Sequence, residues 1–203
     1  MLRKNQKIAI ERSIANNFKS GVHFHATGTG KSWIALELVK QYNNTYPNKN
    51  ILWLCEQKTI LIEQFKKQTL NNKGYNDVLK KFMVINFTEK KPTKWYNQIN
   101  SAKIWGKPIL IIINRSFLVS GKKYQKIKNS IGLIIHDECH SITNKTTKEF
   151  YNYILKSNNS ISCLGFSATP NLEFKPYNNI ISQYSIYDAY CDDIIVPPKI
   201  KWI

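Results

Sequence analysis

Val22–Tyr42 reads VHFHATGTGKSWIALELVKQY. Val22–His25 has the apolar and ring-bearing side chains of a buried strand. Ala26–Gly30 then holds two of the eight glycines in the chain. From Ser32 the period changes, and Ile34, Leu38 and Tyr42 recur at the four-residue spacing of one helix face. The order is strand, glycine turn, helix. Gly28 and Gly30 let backbone N–H groups turn inward, and the helix N-terminus adds the positive end of its dipole, so the turn suits a phosphate. In such a loop, with Thr27 before Gly28 and Thr29 between the glycines, Lys31 can reach β- and γ-phosphates and the Ser32 hydroxyl can hold Mg²⁺. The general pattern opens with a glycine where His25 stands here.

Outward from this segment the same alternation continues. Five more short runs rich in Ile, Val and Phe follow: Ile51–Cys55, Phe82–Phe87, Pro108–Asn114, Ile131–His136 and Ile161–Phe166. Runs of this length without polar alternation are expected of strands buried on both faces, hence of a parallel sheet. The spacers carry helical patterns, as in Thr59–Leu70 with Leu61, Ile62, Phe65 and Leu70. Strand–helix alternation predicts a single α/β domain, a mostly parallel sheet with helices on both faces. The tail Asp188–Ile203 contains Pro197-Pro198, which continue neither a helix nor a central strand. It reads as a connection leaving the domain, so the expected division is 1–187 for the domain and 188–203 for a linker.

The chain has 203 residues, enough for one core without disulfide staples. Its four cysteines form no C-x-x-C pair, and Cys55, Cys139 and Cys163 lie in or beside apolar runs. They read as reduced thiols. No run approaches the roughly 20 apolar residues of a membrane span, and MLRKNQKIAIERS lacks the apolar stretch of a signal peptide. The expected location is intracellular, cytoplasmic or nuclear. Thirty basic against 13 acidic residues give a net charge of +17, which points to a polyanion, nucleic acid first. Only Arg3, Arg12 and Arg115 among the basic residues are arginines. The abundance of Lys, Asn and Ile also matches A/T-rich codons, as in a viral or AT-rich genome.

Two more segments carry chemistry. Ile131–His140, IGLIIHDECH, is an apolar strand ending in adjacent carboxylates, Asp137 and Glu138, in a chain poor in acids. At the C-terminal end of a parallel strand they face the crevice of a phosphate loop. Asp137 would hold Mg²⁺, and Glu138 would orient or deprotonate an attacking water. Leu164–Pro170, LGFSATP, is another apolar strand with a small, hydroxylated end, 30 residues after Asp137. His23 and His25 alternate on one strand face and read as packing or loop-support residues.

Together these segments resemble the N-terminal motor lobe of superfamily 2 helicases and translocases. ATGTGKS is similar to motif I, DECH to motif II in its DExH form, and SAT to motif III. The resemblance is closest to the branch that includes UvrB and the type I and III restriction-enzyme motor subunits. Arg3-Lys4-Asn5-Gln6 with Ala9 is similar to its leading R-x-x-Q-x-x-A segment. Leu52–Gln64 resembles motif Ia, with Lys58 where an arginine is common. Asn114-Arg115-Ser116 sits where motif Ib falls, with Asn114 in place of the usual threonine. Tyr184–Pro198 is similar to the segment leading to the second lobe.

The resemblance implies a RecA-like domain that uses ATP and Mg²⁺. Lys31, Asp137 and Glu138 would serve hydrolysis, and Ser32 and Asp137 would hold the metal. The nucleotide set would be Gln6, Thr27, Gly28, Thr29, Gly30, Lys31 and Ser32, with Gln6 reading adenine. His140, Ser167 and Thr169 would couple nucleotide state to the strand-binding surface. Lys58 and Arg115 would contact nucleic-acid phosphates, of DNA more than RNA. The family's second RecA-like lobe, which supplies an arginine finger, is absent from this chain and would have to act in cis or in trans. A non-catalytic nucleic-acid-binding remnant and a small phosphate-loop kinase are the alternative readings.

Overall fold

The computed structural model describes residues 2–55, 79–86, 92–119 and 131–196. Among them, seven strands form one sheet: β1 (Gly21–His25), β2 (Asn50–Cys55), β3 (Met83–Asn86), β4 (Ile109–Asn114), β5 (Ile131–Asp137), β6 (Ser162–Ser167) and β7 (Ile180–Tyr184). Their order is β3-β4-β2-β5-β6-β1-β7, and every pairing is parallel. The described helices are α1 (Lys4–Ala15), α2 (Lys31–Thr45), α3 (Pro92–Ile104), α4 (Arg115–Val119), α5 (Lys145–Ser157) and α6 (Ile186–Cys191). The α/β class and the six apolar runs are thus borne out. The predicted helix over Thr59–Leu70 lies outside the described residues, as do Lys58 and Pro197-Pro198.

β7 is an addition to the six runs. It is an edge strand in which Ile181, Ser182 and Tyr184 are buried while Ile180 and Gln183 are exposed. A strand covered on one side needs fewer apolar residues, so its run is diluted with polar ones.

Successive side chains of a strand point to opposite faces, and the central strands are apolar on both. Ile51, Trp53, Leu110, Ile112, Leu133 and Ile135 pack with Ala9, Ile34 and Leu38 of α1 and α2 on one face. Leu52, Leu54, Ile111, Ile113 and Ile134 pack with Phe117, Phe150 and Ile154 of α4 and α5 on the other. Each such side chain contributes about 1.5–3 kcal/mol on burial. The stripe that α2 buries, Ile34, Ala35, Leu38, Val39 and Tyr42, follows the 3.6-residue period.

Beyond β7 the chain folds back on the sheet edge. Ser185 caps α6, its Oγ accepting from the Asp188 N–H at 3.0 Å. Tyr184 donates its hydroxyl to Asp192 Oδ2 at 2.6 Å, and the N–H groups of Ile194 and Ile195 donate to Ala189 O at 2.9 and 3.2 Å.

Gly165 sits at the tightest point of the central strand β6. A Cβ there would lie 2.7 Å from Cys139 Sγ and 2.8 Å from Tyr177 Cε1, both on buried side chains. Gly165→Ala is expected to cost about 1–3 kcal/mol through overpacking. Urea unfolding checks this, and an unchanged midpoint would show that the two neighbours yield freely.

Candidate nucleotide and nucleic-acid site

Strand register brings the three sequence segments together. Phe24 of β1 pairs with Ser167 of β6, and Asp137 of β5 pairs with Phe166 of β6. The strands β5, β6 and β1 are therefore neighbours that end side by side at the C-terminal edge of the sheet. Adjacent strands lie 4.7–4.9 Å apart, so the loop after β1 and the acids after β5 are about 10 Å apart.

The loop is shaped by its two glycines. Gly28 has φ 82° and Gly30 has φ 88°, a left-handed conformation that disfavours residues with a Cβ. A Cβ on Gly30 would also collide with Gln6 Nε2. Thr29 between them is fully buried and donates its hydroxyl to Ala26 O at 2.7 Å. Thr27 and Gly28 are exposed on the outer side of the turn. Gln6 holds the loop from α1: its Nε2 donates to Thr29 O at 3.3 Å while its Oε1 accepts from the Arg3 N–H at 2.9 Å. Lys31 opens α2, is 9% exposed, and donates from Nζ to His25 O at 3.3 Å. Ser32 follows, half-buried in the first helical turn.

At the end of β5, Asp137 and Glu138 are both half-buried. Glu138 has φ 57° and ψ 53°, a left-handed conformation for a residue that carries a side chain. Holding it costs on the order of 1–2 kcal/mol. It ends the strand and starts the 3-10 turn Cys139–Thr143. That turn brings His140 Nδ1 to 3.3 Å from Glu138 Oε2 and 3.2 Å from Ser167 Oγ. Ser167 Oγ in turn accepts from the Thr169 N–H at 3.0 Å. Glu138, His140, Ser167 and Thr169 thus form one continuous polar chain across β5 and β6. Burial, then the Glu138 carboxylate, push the Cys139 thiol well above its ordinary range, and Lys31 opposes them. The loop lysine and the acids therefore share one electrostatic neighbourhood.

Arg115 stands apart. It is half-buried at the start of α4, after β4, on the same sheet edge but away from the phosphate loop. Asn114, in the place of the usual threonine, accepts from the Phe117 N–H at 3.1 Å through Oδ1 and so fixes the turn that presents Arg115.

Two buried polar networks support these strand ends. Ser182 Oγ lies 2.7 Å from His23 Nδ1 and 2.8 Å from His25 Nε2, and Ser13 Oγ lies 3.0 Å from His23 Nε2. Beneath the acids, His136 Nε2 is 3.1 Å from Ser141 Oγ, and its Nδ1 is 3.0 Å from Tyr151 Oη and 3.2 Å from Tyr177 Oη. Sequence reasoning missed the second network, because Tyr151 and Tyr177 lie 26 residues apart and carry no spacing signal. It also passed over Asn5, which is buried beside Gln6.

The three segments thus stand at the ends of adjacent strands of one parallel sheet, the RecA-like arrangement that the resemblance implies. Residues 1–172 match the family model described as "Type III restriction enzyme, res subunit", and the chain belongs to that family. No curated protein sequence matches it at a significant level. Among solved structures, the chain is similar to a nuclease-deletion mutant of the Type ISP restriction-modification enzyme LlaGI in complex with a DNA substrate mimic. The TM-score is 0.68 at 17% identity, over 96% of this chain and 21% of that one. It is also similar to the UvsW helicase from bacteriophage T4, with TM-score 0.57 and 16% identity over 83% of this chain and 52% of that one. The ATP-dependent Type ISP enzyme LlaBIII bound to DNA gives TM-score 0.62 and 18% identity, over 95% of this chain and 16% of that one. These likenesses are of fold, and the chain spans from about a sixth to half of those structures' length. No helix among the described residues is long and apolar enough to cross a membrane.

The buried histidines give the fold a pH dependence. Burial lowers His23 and His136 to about 3, and burial together with Lys31 and Arg12 lowers His25 to about 4. Each is neutral when folded, whereas the unfolded chain protonates its histidines near pH 6.5. Between about pH 4 and 6.5 the unfolded chain binds more protons, so stability falls as pH falls. The slope is about 1.4 kcal/mol per pH unit for each histidine. The urea midpoint at constant ionic strength is expected to drop steeply from pH 6.5 to 4.5, and less steeply in His136→Phe. A wild-type midpoint that holds to pH 4.5 would contradict the neutral assignment.

Proposed function

We propose that this lobe binds MgATP on the 26–32 loop and a nucleic-acid backbone along the same sheet edge, as half of an ATP-driven helicase or translocase. The observation that carries the reading is the convergence of Lys31, Asp137–Glu138 and Ser167–Thr169 on three adjacent strand ends.

The residues suit the ligand. Two glycines with positive φ leave a cradle lined by backbone N–H groups at a helix N-terminus. Lys31 places one cation beside it. Gln6, Thr27 and Thr29 complete the nucleotide set, with Gln6 and Thr29 fixing the loop's shape. Ser32 and Asp137 offer a hydroxyl and a carboxylate, the hard oxygen ligands that Mg²⁺ takes. When bound, the metal neutralises charge on the β- and γ-phosphates. Glu138 accepts a proton from water or orients it. Its contact with His140 links it through Ser167 to Thr169, so a change at the phosphate reaches the β6 end. Arg115 and Lys58 contribute phosphate contacts that carry no sequence information. DNA is favoured over RNA, and the +17 charge supplies the general attraction.

Turnover needs more than these groups. An arginine finger contributes about 10³–10⁵ in rate. Arg3 caps α1, Arg12 lies in its last turn, and Arg115 follows β4, so each belongs to another part of the site. A second RecA-like lobe, joined after residue 188 or supplied in trans, would complete the motor. The 203-residue chain alone is expected to bind MgATP, hydrolyse it very slowly and unwind nothing.

Three measurements test this. Lys31→Ala is expected to weaken MgATP binding about ten- to a hundred-fold, the value of a charge-assisted hydrogen bond; equal affinity in calorimetry would remove the loop from the site. Glu138→Gln is expected to keep binding and lose the residual hydrolysis, and a retained rate would return the chain to the binding-module reading. For single-stranded DNA, log affinity should fall with log salt by about 0.7 per phosphate contacted, and Arg115→Ala and Lys58→Ala should each lower that slope. A flat salt dependence would leave the positive charge without a nucleic-acid partner.

A further inference from the structure

The site described above lies at the C-terminal edge of the sheet. Every pairing is parallel, so the described strands all begin at the opposite edge, and that edge carries charge of its own. Lys81 precedes β3, Lys107 precedes β4 and Lys49 precedes β2, and all three are exposed. These strands are neighbours in the sheet. Their entries are fastened to one another: Asn50 Oδ1 accepts from the Ile109 N–H at 2.8 Å, and Pro108 O accepts from the Met83 N–H at 2.9 Å. With strands about 4.8 Å apart, the three entries span about 10 Å. Lys103, exposed in the last turn of α3, adds a fourth cation. Residues 46–49, 79–82 and 103–108 hold no acid.

An aromatic ring stands among these lysines. Trp105 is 63% exposed and the adjacent Ile104 81%. Tryptophan is highly buried on average in folded proteins. Here it is displayed on a turn that hydrogen bonds fix: the Trp105 N–H donates to Ser101 O at 3.0 Å, the Gly106 N–H to Lys103 O at 3.3 Å and the Lys107 N–H to Ala102 O at 3.0 Å. Gly106 takes φ 61°, the left-handed stop of a helix. A Cβ built on it would meet nothing among the described residues within 4 Å, so the turn stands clear of them. We propose that Trp105, with Lys49, Lys81, Lys103 and Lys107, forms a second surface that binds single-stranded nucleic acid. Lys107 precedes β4 and Arg115 follows it. At a rise of about 3.3 Å per residue the two surfaces lie roughly 25 Å apart, at opposite ends of one strand.

Ring and charges together select that ligand. An indole face stacks on any base, and lysines track the phosphates, which holds a single strand without reading its sequence. A duplex keeps its bases stacked on one another and offers the indole no free face along its length. An acidic protein would answer the lysines and leave the ring in water. Lys103 also offsets the negative end of the α3 dipole. Lys49, Lys81 and Lys107 lie past the helix ends, and Lys81 reaches only a neutral amide there, Asn44 Oδ1 at 3.4 Å, which leaves its charge uncancelled by that contact. The fixed turn has little freedom left to lose on binding. Since the surface lies away from the 26–32 loop, its binding is independent of MgATP.

The test is titration of the 203-residue chain, followed by tryptophan fluorescence, with a short oligothymidylate, its abasic counterpart, the matching duplex and a polyglutamate peptide. Oligothymidylate is expected to quench the wild type. Trp105→Ala should lose most of that quench and bind about ten-fold more weakly or worse, with an unchanged urea midpoint to show that it is folded. Trp105→Phe, which keeps a stacking face, should retain most of the affinity. Replacing Lys49, Lys81, Lys103 and Lys107 together by alanine should lower the log–log salt slope by up to about 3, at about 0.7 per phosphate. The abasic strand should bind wild type and Trp105→Ala alike. A quench that survives in Trp105→Ala overturns the inference. So does a wild type that holds the abasic strand, the duplex or polyglutamate as tightly as oligothymidylate, the last result marking a surface for acidic protein. The measurement uses no nucleotide, so it separates the two sites. A Trp105-dependent quench in a chain that fails to bind MgATP supports this surface and removes the nucleotide site alone, and MgATP binding without that quench removes this surface alone.

Discussion

The site exists because β6 is held between β1 and β5 in one register. Leu164 pairs with Gly21 on one side and Ile135 on the other, which places Gly165 between Val22 and His136. A shift of one residue would send Phe166 to the opposite face and put a side chain where Cys139 and Tyr177 press against Gly165. Since both faces are apolar, hydrophobic pattern alone would specify this register weakly. The missing Cβ of Gly165 and the stacking of Phe166 on His23, at 4.9 Å between centroids, make one register fit. Everything at the crevice follows from it, because the loop, the acids and the S-A-T turn are the next residues along their strands.

Polar groups are buried here at some cost to stability, and their positions follow the chemistry. His23, His25 and His136 sit in strands otherwise filled by Ile, Leu and Phe, and each is held neutral by burial. Valine or isoleucine would pack these strands without a desolvation penalty. The histidines instead tie α1, β7 and α5 to the strand ends by side-chain hydrogen bonds, which fix direction as well as distance. The left-handed Glu138 belongs to the same pattern. Its strain is maintained by the turn that places its carboxylate beside His140.

Much of this was legible in the sequence, for physical reasons that differ from element to element. The five interior strands were readable because a strand buried on both faces must be apolar throughout, and the edge strand β3 was readable because its run is apolar as well. β7 was not, because IISQY carries two polar residues and two exposed positions. α2 declared itself through Ile34, Leu38 and Tyr42. α1 did not, because its buried face includes Asn5, Gln6 and Ser13, polar residues that a hydrophobic period cannot register. The phosphate loop, the paired acids and the S-A-T turn were legible as local strings whose spacing carries a mechanism. The His136–Tyr151–Tyr177 network was not, since its members come from a strand, a helix and a loop joined only by folding.

The C-terminal segment bears on how such a lobe is used. Asp192–Ile194 walls a cleft together with Arg3 and Asn5, and Ile195 Cγ2 would lie 3.6 Å from a Cβ placed on Gly28. Residues 192–195 therefore pass beside α1 and the loop after β1. They are tied there by the Tyr184–Asp192 hydrogen bond and the two backbone bonds to Ala189. In the proposed motor, a second lobe tethered through this segment would meet the proposed phosphate site at high effective concentration. The same lobe supplied as a separate chain forgoes that advantage and must recover it through its own contacts.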